Sequence, residues 1–352
     1  MKRCLIITGG KLDLSFAGSF LGQETFDKII AVDAGLEAVK ALGLEPDMIV
    51  GDFDTVKPEV LAYYRRMEHI VWDARQPEKD ETDTELALLK AQATGCSEVV
   101  VLGATGGPAI VKTVLSSGKK AIGAGAGNPP VVVDETADIE KAAKDIVDGC
   151  SFDNNLPCIA EKEVIAVDSV ADYLIFNMKK NGAYEVKDPA VISQLVELVT
   201  KEGKSPKTEF VGKSAKYILD KIGITVGDDV KVILMEAKED HPFVQVELMM
   251  PILPLVRVPD VDQAIEMAVR VEHGNRHTAM MHSRNVEKLT KMAKLIQTTI
   301  FVKNGPSYAG IGVGGEGYTT FTIAGPTGEG LTSAKSFARR RRCVLVGGMD
   351  VR

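Results

Sequence analysis

The sequence predicts an α/β protein with a Rossmann-like parallel sheet in its front part and a second α/β domain behind it. Short apolar segments that resemble strands alternate with segments of helical periodicity through the first third of the chain. The alternation continues behind Gly107. Strands and helices in this order build a parallel sheet covered by helices.

The predicted elements follow from this alternation. In the front part we predict strands at residues 5–8, 28–32, 47–50 and 98–102, and helices at residues 36–42, 58–67 and 84–93. Behind Gly107 we predict strands at residues 120–123, 131–134, 163–167, 230–235, 253–258 and 343–346, and helices at residues 108–117, 138–149, 170–181, 189–200, 261–271 and 285–295.

Charge and cysteine content exclude several classes of protein. The chain has 352 residues and a net charge of −7, which argues against nucleic acid as a partner. No apolar run approaches the roughly 18–20 residues that cross a bilayer, so we expect no membrane partner. The five cysteines are scattered without CxxC spacing. This pattern predicts a reducing cytoplasm and neither a disulfide framework nor a zinc site.

Two groups of carboxylates occur in the front part. Asp52 and Asp54 follow a predicted strand and project to the same side at its carboxyl end, the edge where open parallel sheets bind ligands. Asp80 and Asp83 open a predicted helix. Closely spaced carboxylates repel one another unless a cation lies between them, and oxygen ligands suit Mg²⁺ that is held with nucleotide phosphates. These four aspartates are therefore candidate metal ligands.

A helix start offers an alternative explanation for the second group. Thr82 and Glu85 have the spacing of a capping box. Asp80 and Asp83 would stabilise a helix N-terminus without any metal. Spacing alone leaves both explanations open.

Four motifs of the front part occur in a characteristic order and spacing. They are Ile7-Thr8-Gly9-Gly10, Ala31-Val32-Asp33-Ala34-Gly35, Gly51-Asp52-Phe53-Asp54-Thr55-Val56 and Lys79-Asp80-Glu81-Thr82-Asp83. Residues 1–107 thereby resemble the ATP-binding domain of thiamine pyrophosphokinase. The resemblance implies that the aspartates of the last two motifs hold Mg²⁺ and ATP. The family's Arg-x-Asp-His segment does not follow Gly107, which argues against thiamine pyrophosphorylation itself. Nucleotide binding by the front part, with a transfer like that of thiamine pyrophosphokinase, is the alternative function.

A cysteine lies in a polar loop of the back part. Residues 151–158, Ser-Phe-Asp-Asn-Asn-Leu-Pro-Cys, separate a predicted helix from a predicted strand. A nucleophilic cysteine needs an exposed thiolate near backbone donors, and such a loop can provide both. Cys158 is therefore a candidate nucleophile. The alternative is a small buried hydrophobic residue without chemistry, as most single cysteines are.

Further motifs accompany the Cys158 loop. They are residues 104–108, 123–130, 134–138, 247–251, 277–283, 301–306, 314–317 and 326–330. From residue 104 to residue 352 the chain resembles the CoA-acylating aldehyde dehydrogenases, in particular the propionaldehyde and acetaldehyde dehydrogenases of bacterial microcompartments. The resemblance implies an aldehyde-dehydrogenase-type α/β catalytic domain, NAD and coenzyme A as cofactors, and a homo-oligomer. It also implies oxidation of a short-chain aldehyde to acyl-CoA through a thiohemiacetal and a thioester on Cys158, and a microcompartment as a further location.

The same resemblance implies roles for three more residues. Glu247 matches the glutamate that contacts the nicotinamide ribose. Gly106 and Gly107 open a helix whose free amides could face the cofactor. The alternatives are a solvated glutamate at a strand end and an ordinary strand-to-helix turn.

The segment that would hold a water-activating base has no carboxylate. Hydrolytic members of the superfamily carry a glutamate base there, whereas residues 123–128 read Gly-Ala-Gly-Ala-Gly-Asn. This favours transfer of the acyl group to CoA. We expect His277 and His282 to be structural or loop residues.

The two resemblances meet at Thr105-Gly106-Gly107, which both families place after a parallel strand. We therefore predict a chimera, with an incomplete nucleotide-binding segment at residues 1–107 and a catalytic and oligomerisation region at residues 108–352. In the second region the cofactor-binding half of the dehydrogenases is largely missing. A catalytically inactive protein that oligomerises through the strand at residues 343–346 is the remaining alternative.

Overall fold

The computed structural model describes residues 2–9, 14–22, 24–53, 56–74, 83–102, 122–338 and 342, with residues 16, 83–85 and 101–102 described by their backbone alone. The chain forms two compact units, Met1–Ala124 and Gly125–Arg352. The predicted domain boundary at residue 107 lies outside the described residues and stays a prediction.

The front unit contains a five-stranded parallel sheet. Its strands are β1 (Arg3–Ile7), β2 (Lys28–Val32), β3 (Met48–Gly51), β4 (Val71–Ala74) and β5 (Glu98–Leu102), and its helices are α1 (Leu14–Leu21), α2 (Gly35–Ala41), α3 (Pro58–Tyr64) and α4 (Asp83–Ala93). The strands pair in the order β4-β3-β2-β1-β5, and every pair is parallel.

Strand β1 is buried on both faces of this sheet. Leu5 and Ile7 belong to the core that α2 and α3 cover, whereas Cys4 and Ile6 belong to the core under α4. A parallel strand covered on both faces has an unbroken apolar sequence. This is why the sequence of β1 alone indicated a strand. Gly35 begins α2 against this strand, where a Cβ would lie 2.3 Å from the carbonyl oxygen of Ile7. Only glycine allows this close approach.

The back unit is larger. Its strands are β6 (Pro130–Val133), β7 (Glu163–Val167), β8 (Ala183–Glu185), β9 (Thr200–Lys201), β10 (Ser205–Pro206), β11 (Val232–Glu236), β12 (Ile252–Val258), β13 (Thr278–His282), β14 (Ile300–Lys303), β15 (Ile323–Ala324) and β16 (Gly330–Leu331). Its helices are α5 (Ile139–Ser151), α6 (Asp168–Lys180), α7 (Pro189–Val199), α8 (Ala215–Asp220), α9 (Pro242–Gln245), α10 (Val261–Val271), α11 (Val286–Ile296) and α12 (Ala334–Phe337).

Seven of these strands form one parallel sheet in the order β14-β13-β6-β7-β12-β11-β8. Successive residues of the central strands face opposite sides. Val164 and Ala166 pack with α5 and α6, whereas Ile165 packs with α10 and α11. Helices on both faces bury β7 completely, so the segment that enters this strand is carried into the interior.

Side-chain caps fix where several of these helices begin. Asp138, Asp260 and Asn285 precede α5, α10 and α11, and each accepts a hydrogen bond from the backbone N–H of the third helical residue. Such a cap satisfies one of the amides that the first turn leaves without a partner. In α5 the cap fixes the start of the helix whose last turn precedes the Cys158 loop.

The predicted α/β fold with parallel sheets is confirmed. The sequence did not predict β4, α1, β8, β13 or β14. The predicted strand at residues 120–123 is wrong where it is described, because residues 122 and 123 lie outside any strand. The predicted helix at residues 108–117 and strand at residues 343–346 fall outside the described residues. Among the described helices, none has the length and apolarity of a membrane-spanning segment.

Candidate active site

Cys158 lies in the connection between α5 and β7, as predicted. Three consecutive residues of this connection, Asp153, Asn154 and Asn155, have positive φ angles of 46°, 53° and 63°. None of them is glycine, and asparagine and aspartate tolerate this left-handed conformation best. The chain therefore reverses direction in a tight turn three residues before the cysteine. Such a conformation persists only where surrounding contacts hold it in place.

Asn155 supplies those contacts. Its fully buried side-chain amide donates to the carbonyl oxygens of Cys150 and Glu161, both at 2.9 Å. Its side-chain oxygen accepts a hydrogen bond from the Nζ of Lys162. One side chain thus connects the last turn of α5 with the residues that enter β7. The loop that carries Cys158 is closed at both ends.

Gly127 lies directly against the Cys158 segment. A Cβ at Gly127 would lie 2.9 Å from the carbonyl oxygen of Cys158 and 2.9 Å from Cγ of His277. A larger residue would therefore push the two apart. The absence of side chains in this glycine-rich segment brings the cysteine, the imidazole and the peptide of Gly127 together.

Glu247, from the loop behind α9, lies against the same segment. The backbone N–H of Gly127 donates to its carboxylate. Its Oε1 is buried and has no hydrogen-bond partner in the part of the chain that the structure describes. Burial raises the pKa of Glu247, and Lys162 lowers it. The alternative of a solvated glutamate at a strand end is therefore wrong, because Glu247 follows α9 in a loop and points a buried oxygen inward.

The Cys158 thiol is half-buried. Its pKa is raised to about 11, chiefly by burial and also by the Glu247 carboxylate, whereas the Lys162 ammonium lowers it. The expectation of an exposed thiolate is wrong for the protein in this state, because the loop tucks the side chain into the interior. At neutral pH the resting thiol keeps its proton.

His277 immediately precedes β13. Its backbone N–H donates to the Glu272 carboxylate at 2.9 Å, and its Nδ1 contacts Thr278 Oγ1 at 2.9 Å. Burial lowers the pKa of His277 to about 4, so the ring is neutral at pH 7. Its Nε2 is buried without a partner among the described residues.

Asn128 extends this polar region inward. Its side-chain amide donates to the carbonyl oxygens of Val244 and Val271 at 2.9 Å, and Glu163 Oε1 lies 3.4 Å away. Glu163 is fully buried, and burial raises its pKa well above the usual range. Within the described residues, Asn128 Oδ1 and Glu163 Oε2 have no hydrogen-bond partner. Buried polar atoms without partners indicate a place where water or a ligand binds.

The remaining predicted site residues are placed less completely. Asp52 follows β3 at the carboxyl end of the front sheet, as predicted. Asp83 is the first residue of α4, which agrees with the capping alternative but does not exclude a metal, since its side chain is not described. Asp54, Asp80, Gly106 and Gly107 lie outside the described residues. Among the residues that are described, no three His, Cys, Asp or Glu side chains form a metal-binding group.

Sequence reasoning missed three residues of the Cys158 region. Asn155 was not distinguished from the other polar residues of the Cys158 loop. Lys162, which lies between Glu161 and Glu163, was not considered. The role of His277 as a structural or loop residue stays a prediction, but the structure places its ring against Gly127. A signal was present for Lys162, because it directly precedes the correctly predicted strand at residues 163–167.

Comparisons with known proteins agree with this geometry. A model of the aldehyde dehydrogenase family matches residues 87–322, and the chain belongs to this family. A model of the thiamin pyrophosphokinase catalytic domain matches residues 23–109. The resemblance of the two parts of the chain to two families is thereby confirmed.

Individual relatives are similar in sequence and in structure. The CoA-propanoylating propanal dehydrogenase of Salmonella typhimurium strain LT2 is 54% identical over 255 residues, which cover 72% of this chain and 54% of the relative. The chain thus spans about half the length of the curated relatives it matches. The propionaldehyde dehydrogenase of Rhodopseudomonas palustris, solved with bound CoA and an acylated cysteine, has a TM-score of 0.74 and 54% identity, covering 100% of this chain and 76% of that one. An engineered glycolyl-CoA reductase with bound NADP⁺ has a TM-score of 0.74 and 54% identity, covering 99% and 76%.

A second buried carboxylate near the loop generates a prediction about pH. Glu161 accepts hydrogen bonds from Ser307 N–H at 2.8 Å and from Ser307 Oγ–H at 2.7 Å. Gly149 makes room for it, because a Cβ there would lie 2.1 Å from Glu161 Oε1. Burial raises the pKa of Glu161 from 4.5 to about 7. An acid whose pKa is raised by folding stabilises most below its unfolded pKa, and this contribution is lost as the pH rises toward the folded value.

Ionisation of Glu161 lowers the free energy of unfolding of the wild type as the pH rises from about 5 to about 8. We expect this decrease to be smaller by roughly 2–4 kcal/mol in Glu161→Gln. The glutamine amide can retain both hydrogen bonds to Ser307, so the change removes the ionisation and little else. Urea unfolding at the two pH values measures the effect. The exposed Glu202→Gln variant is the control and should behave like the wild type. An identical pH dependence in Glu161→Gln and the wild type would contradict the assignment.

Proposed function

We propose that this chain is a CoA-acylating aldehyde dehydrogenase that oxidises a short-chain aldehyde to an acyl-CoA, with Cys158 as its nucleophile. The observation that carries the proposal is the approach of three groups to Gly127: the carbonyl oxygen of Cys158 and the ring of His277 lie against its Cα, and its N–H donates to Glu247. The Glu247 carboxylate also interacts with the Cys158 thiol. The relatives of this chain are named as a CoA-propanoylating propanal dehydrogenase and as a propionaldehyde dehydrogenase with bound CoA and an acylated cysteine. Both names describe the chemistry that we propose here.

The residues present fit a nicotinamide cofactor in one respect. Glu247 has a buried Oε1 without a partner among the described residues, and an oxygen of this kind can accept hydrogen bonds from ribose hydroxyls. We therefore assign the ribose to Glu247. A contact of the Gly106 and Gly107 amides with the cofactor is proposed from the family resemblance alone, since both residues lie outside the described part of the chain. Coenzyme A is the proposed acyl acceptor, since it is bound in the Rhodopseudomonas palustris relative.

The chemistry follows from the thiol. Cys158 loses its proton, and its thiolate attacks the aldehyde carbon to form a thiohemiacetal. When bound, NAD would accept the hydride from this carbon, and the proton of the thiohemiacetal hydroxyl would pass to solvent. The product on Cys158 is a thioester. The sulfur of CoA then attacks the thioester carbonyl, the Cys158 sulfur leaves as thiolate, and the proton of the CoA thiol is released.

One feature of the site favours CoA over water as the acceptor. The segment of residues 122–129, whose Gly127 lies against the carbonyl oxygen of Cys158, carries no carboxylate to activate water. An acyl group on Cys158 would therefore find no base for its hydrolysis in this segment and would be left for transfer to CoA.

We extend the proposal to the assembly and location of the protein. A homo-oligomer, a cytoplasmic location and association with a bacterial microcompartment follow from the resemblance to microcompartment dehydrogenases. An aldehyde and CoA are the proposed small-molecule partners.

The first test is NADH formation by the purified chain with propionaldehyde and NAD, with and without CoA. We expect turnover that requires CoA and that falls by roughly a thousandfold or more in Cys158→Ala, because the covalent route is lost. Cys96→Ala, which changes a half-exposed cysteine of the front unit, is the matched control and should remain active. Absence of turnover in a folded sample would contradict the proposed activity and leave the inactive, oligomerising alternative.

A second candidate function is supported by the match of residues 23–109 to the thiamin pyrophosphokinase catalytic domain. Asp52 lies at the carboxyl end of β3 in a parallel sheet, which is where such sheets bind nucleotides. We propose that this edge holds Mg²⁺ and ATP with Asp52, Asp54, Asp80 and Asp83 as the metal ligands.

Thermal unfolding tests this second candidate. A ligand present at about a hundred times its Kd stabilises the folded state by about 2.7 kcal/mol. We therefore expect Mg-ATP to raise the Tm of the wild type and to have a smaller effect on Asp52→Asn. ATP with EDTA is the control for the metal. The same Tm with and without Mg-ATP would exclude a nucleotide site.

A further inference from the structure

Lys162 is a buried cation without a carboxylate partner in the described part of the chain. Its side chain is 3% exposed. Its Nζ donates to the backbone oxygen of Asn155 at 3.2 Å and to the Asn155 side-chain oxygen, so two of its three N–H groups are used. Taking an ammonium out of water costs several kcal/mol. The two Asn155 oxygens compensate only part of that cost, so the position of the charge in the interior calls for a role beyond these hydrogen bonds.

The surroundings of Lys162 identify what its charge acts on. The titratable groups that interact with it electrostatically are Glu247, Cys150, Cys158, Glu163, Glu161 and His277. Cys150 is fully buried in the core, whereas Cys158 is the half-buried thiol of the proposed active site. Because Lys162 Nζ donates to both oxygens of Asn155, three residues before Cys158, the ammonium is fixed on the loop that carries this thiol.

The position of the charge is fixed by the fold. The backbone N–H of Lys162 donates to the carbonyl oxygen of Pro129 at 3.1 Å, and β7 begins at the next residue. Asn155, held in its left-handed conformation, receives the ammonium from the other side. The lysine cannot reach solvent as a surface lysine does, so its charge stays in a region of low dielectric where it acts strongly.

We propose that Lys162 is a positioning residue that holds the Cys158 loop through Asn155 and whose charge stabilises the thiolate of Cys158. The proposal rests on the proposed function in that it concerns the same cysteine. Its chemistry is electrostatic: the cysteine gives its proton to solvent or to a base, and Lys162 keeps its own.

Other groups around the thiol set the direction of the effect. Glu247, from the loop behind α9, opposes the thiolate, and Lys162, at the start of β7, favours it. His277, in front of β13, is neutral because burial lowers its pKa to about 4. Lys162 is thus the cation that counteracts both burial and Glu247. A lysine that only supported the loop would have no such effect on the acidity of the thiol.

The test is the rate at which iodoacetamide alkylates Cys158, followed by mass spectrometry of the peptide that contains it, between about pH 7 and about pH 9.5. Only the thiolate reacts, so the rate at a given pH measures the thiolate fraction. We expect Lys162→Met to slow alkylation roughly tenfold across this range, since one pKa unit is a tenfold change in that fraction. Lys162→Arg, which keeps the charge, should stay near the wild-type rate. The exposed Lys187→Met is the matched control and should match the wild type.

The outcomes separate the charge from a merely structural role. A loosened loop would expose the thiol and speed its alkylation, whereas loss of the charge slows it. An unchanged or faster rate in Lys162→Met, or an equal loss in Lys162→Arg, would overturn the proposal. If Lys162→Met does not fold, Lys162→Gln replaces it in the same comparison. Because alkylation needs no aldehyde, NAD or CoA, the result stands whether or not the chain proves to be a dehydrogenase.

Discussion

The active-site region depends on one buried connection, the hydrogen bonds of Asn155 to the end of α5 and to the start of β7. The amide of Asn155 holds the carbonyl oxygens of Cys150 and Glu161, and its oxygen receives the Lys162 ammonium. These bonds hold three non-glycine residues in a left-handed turn, a conformation that costs of order 1–3 kcal/mol per residue. The direction of the chain at Cys158 follows from this turn. Without it, α5 and β7 would be joined by a loop with no fixed orientation for the thiol.

The same connection sets the electrostatics of the site. It draws Cys158 into the interior, where burial alone would keep the sulfur protonated. It also draws in Lys162, whose charge works in the opposite direction. Glu247 approaches from the other side through the Gly127 peptide.

Much of the fold could be predicted because parallel strands buried on both faces have continuous apolar sequences. The strand at residues 28–32 and the strand at residues 163–167 were predicted with the bounds that the structure shows. β13 was missed because Thr278-Ala279-Met280-Met281-His282 ends in polar residues at both sides and contains no β-branched run. Its place in the sheet between β6 and β14 depends on tertiary packing, which the local sequence pattern does not reveal.

The site was predicted in its outline and missed in its interior. Cys158 and Glu247 were found through motifs, and the structure brings both to the Gly127 segment. Lys162 was not singled out, and Glu163 was placed only as the first residue of a strand, because sequence alone does not show that this strand lies in the middle of a seven-stranded sheet. Burial of polar residues is decided by the neighbours of a strand, and those neighbours come from distant parts of the chain.

The most direct test of the account is to trap the acyl group on the protein. The chain is incubated with propionaldehyde and NAD in the absence of CoA, and its cysteine peptides are examined by mass spectrometry. The account predicts a propionyl group on Cys158 that disappears when CoA is added, with propionyl-CoA as the product. A folded protein that carries no acyl group on Cys158, or carries it on another cysteine, would contradict the account.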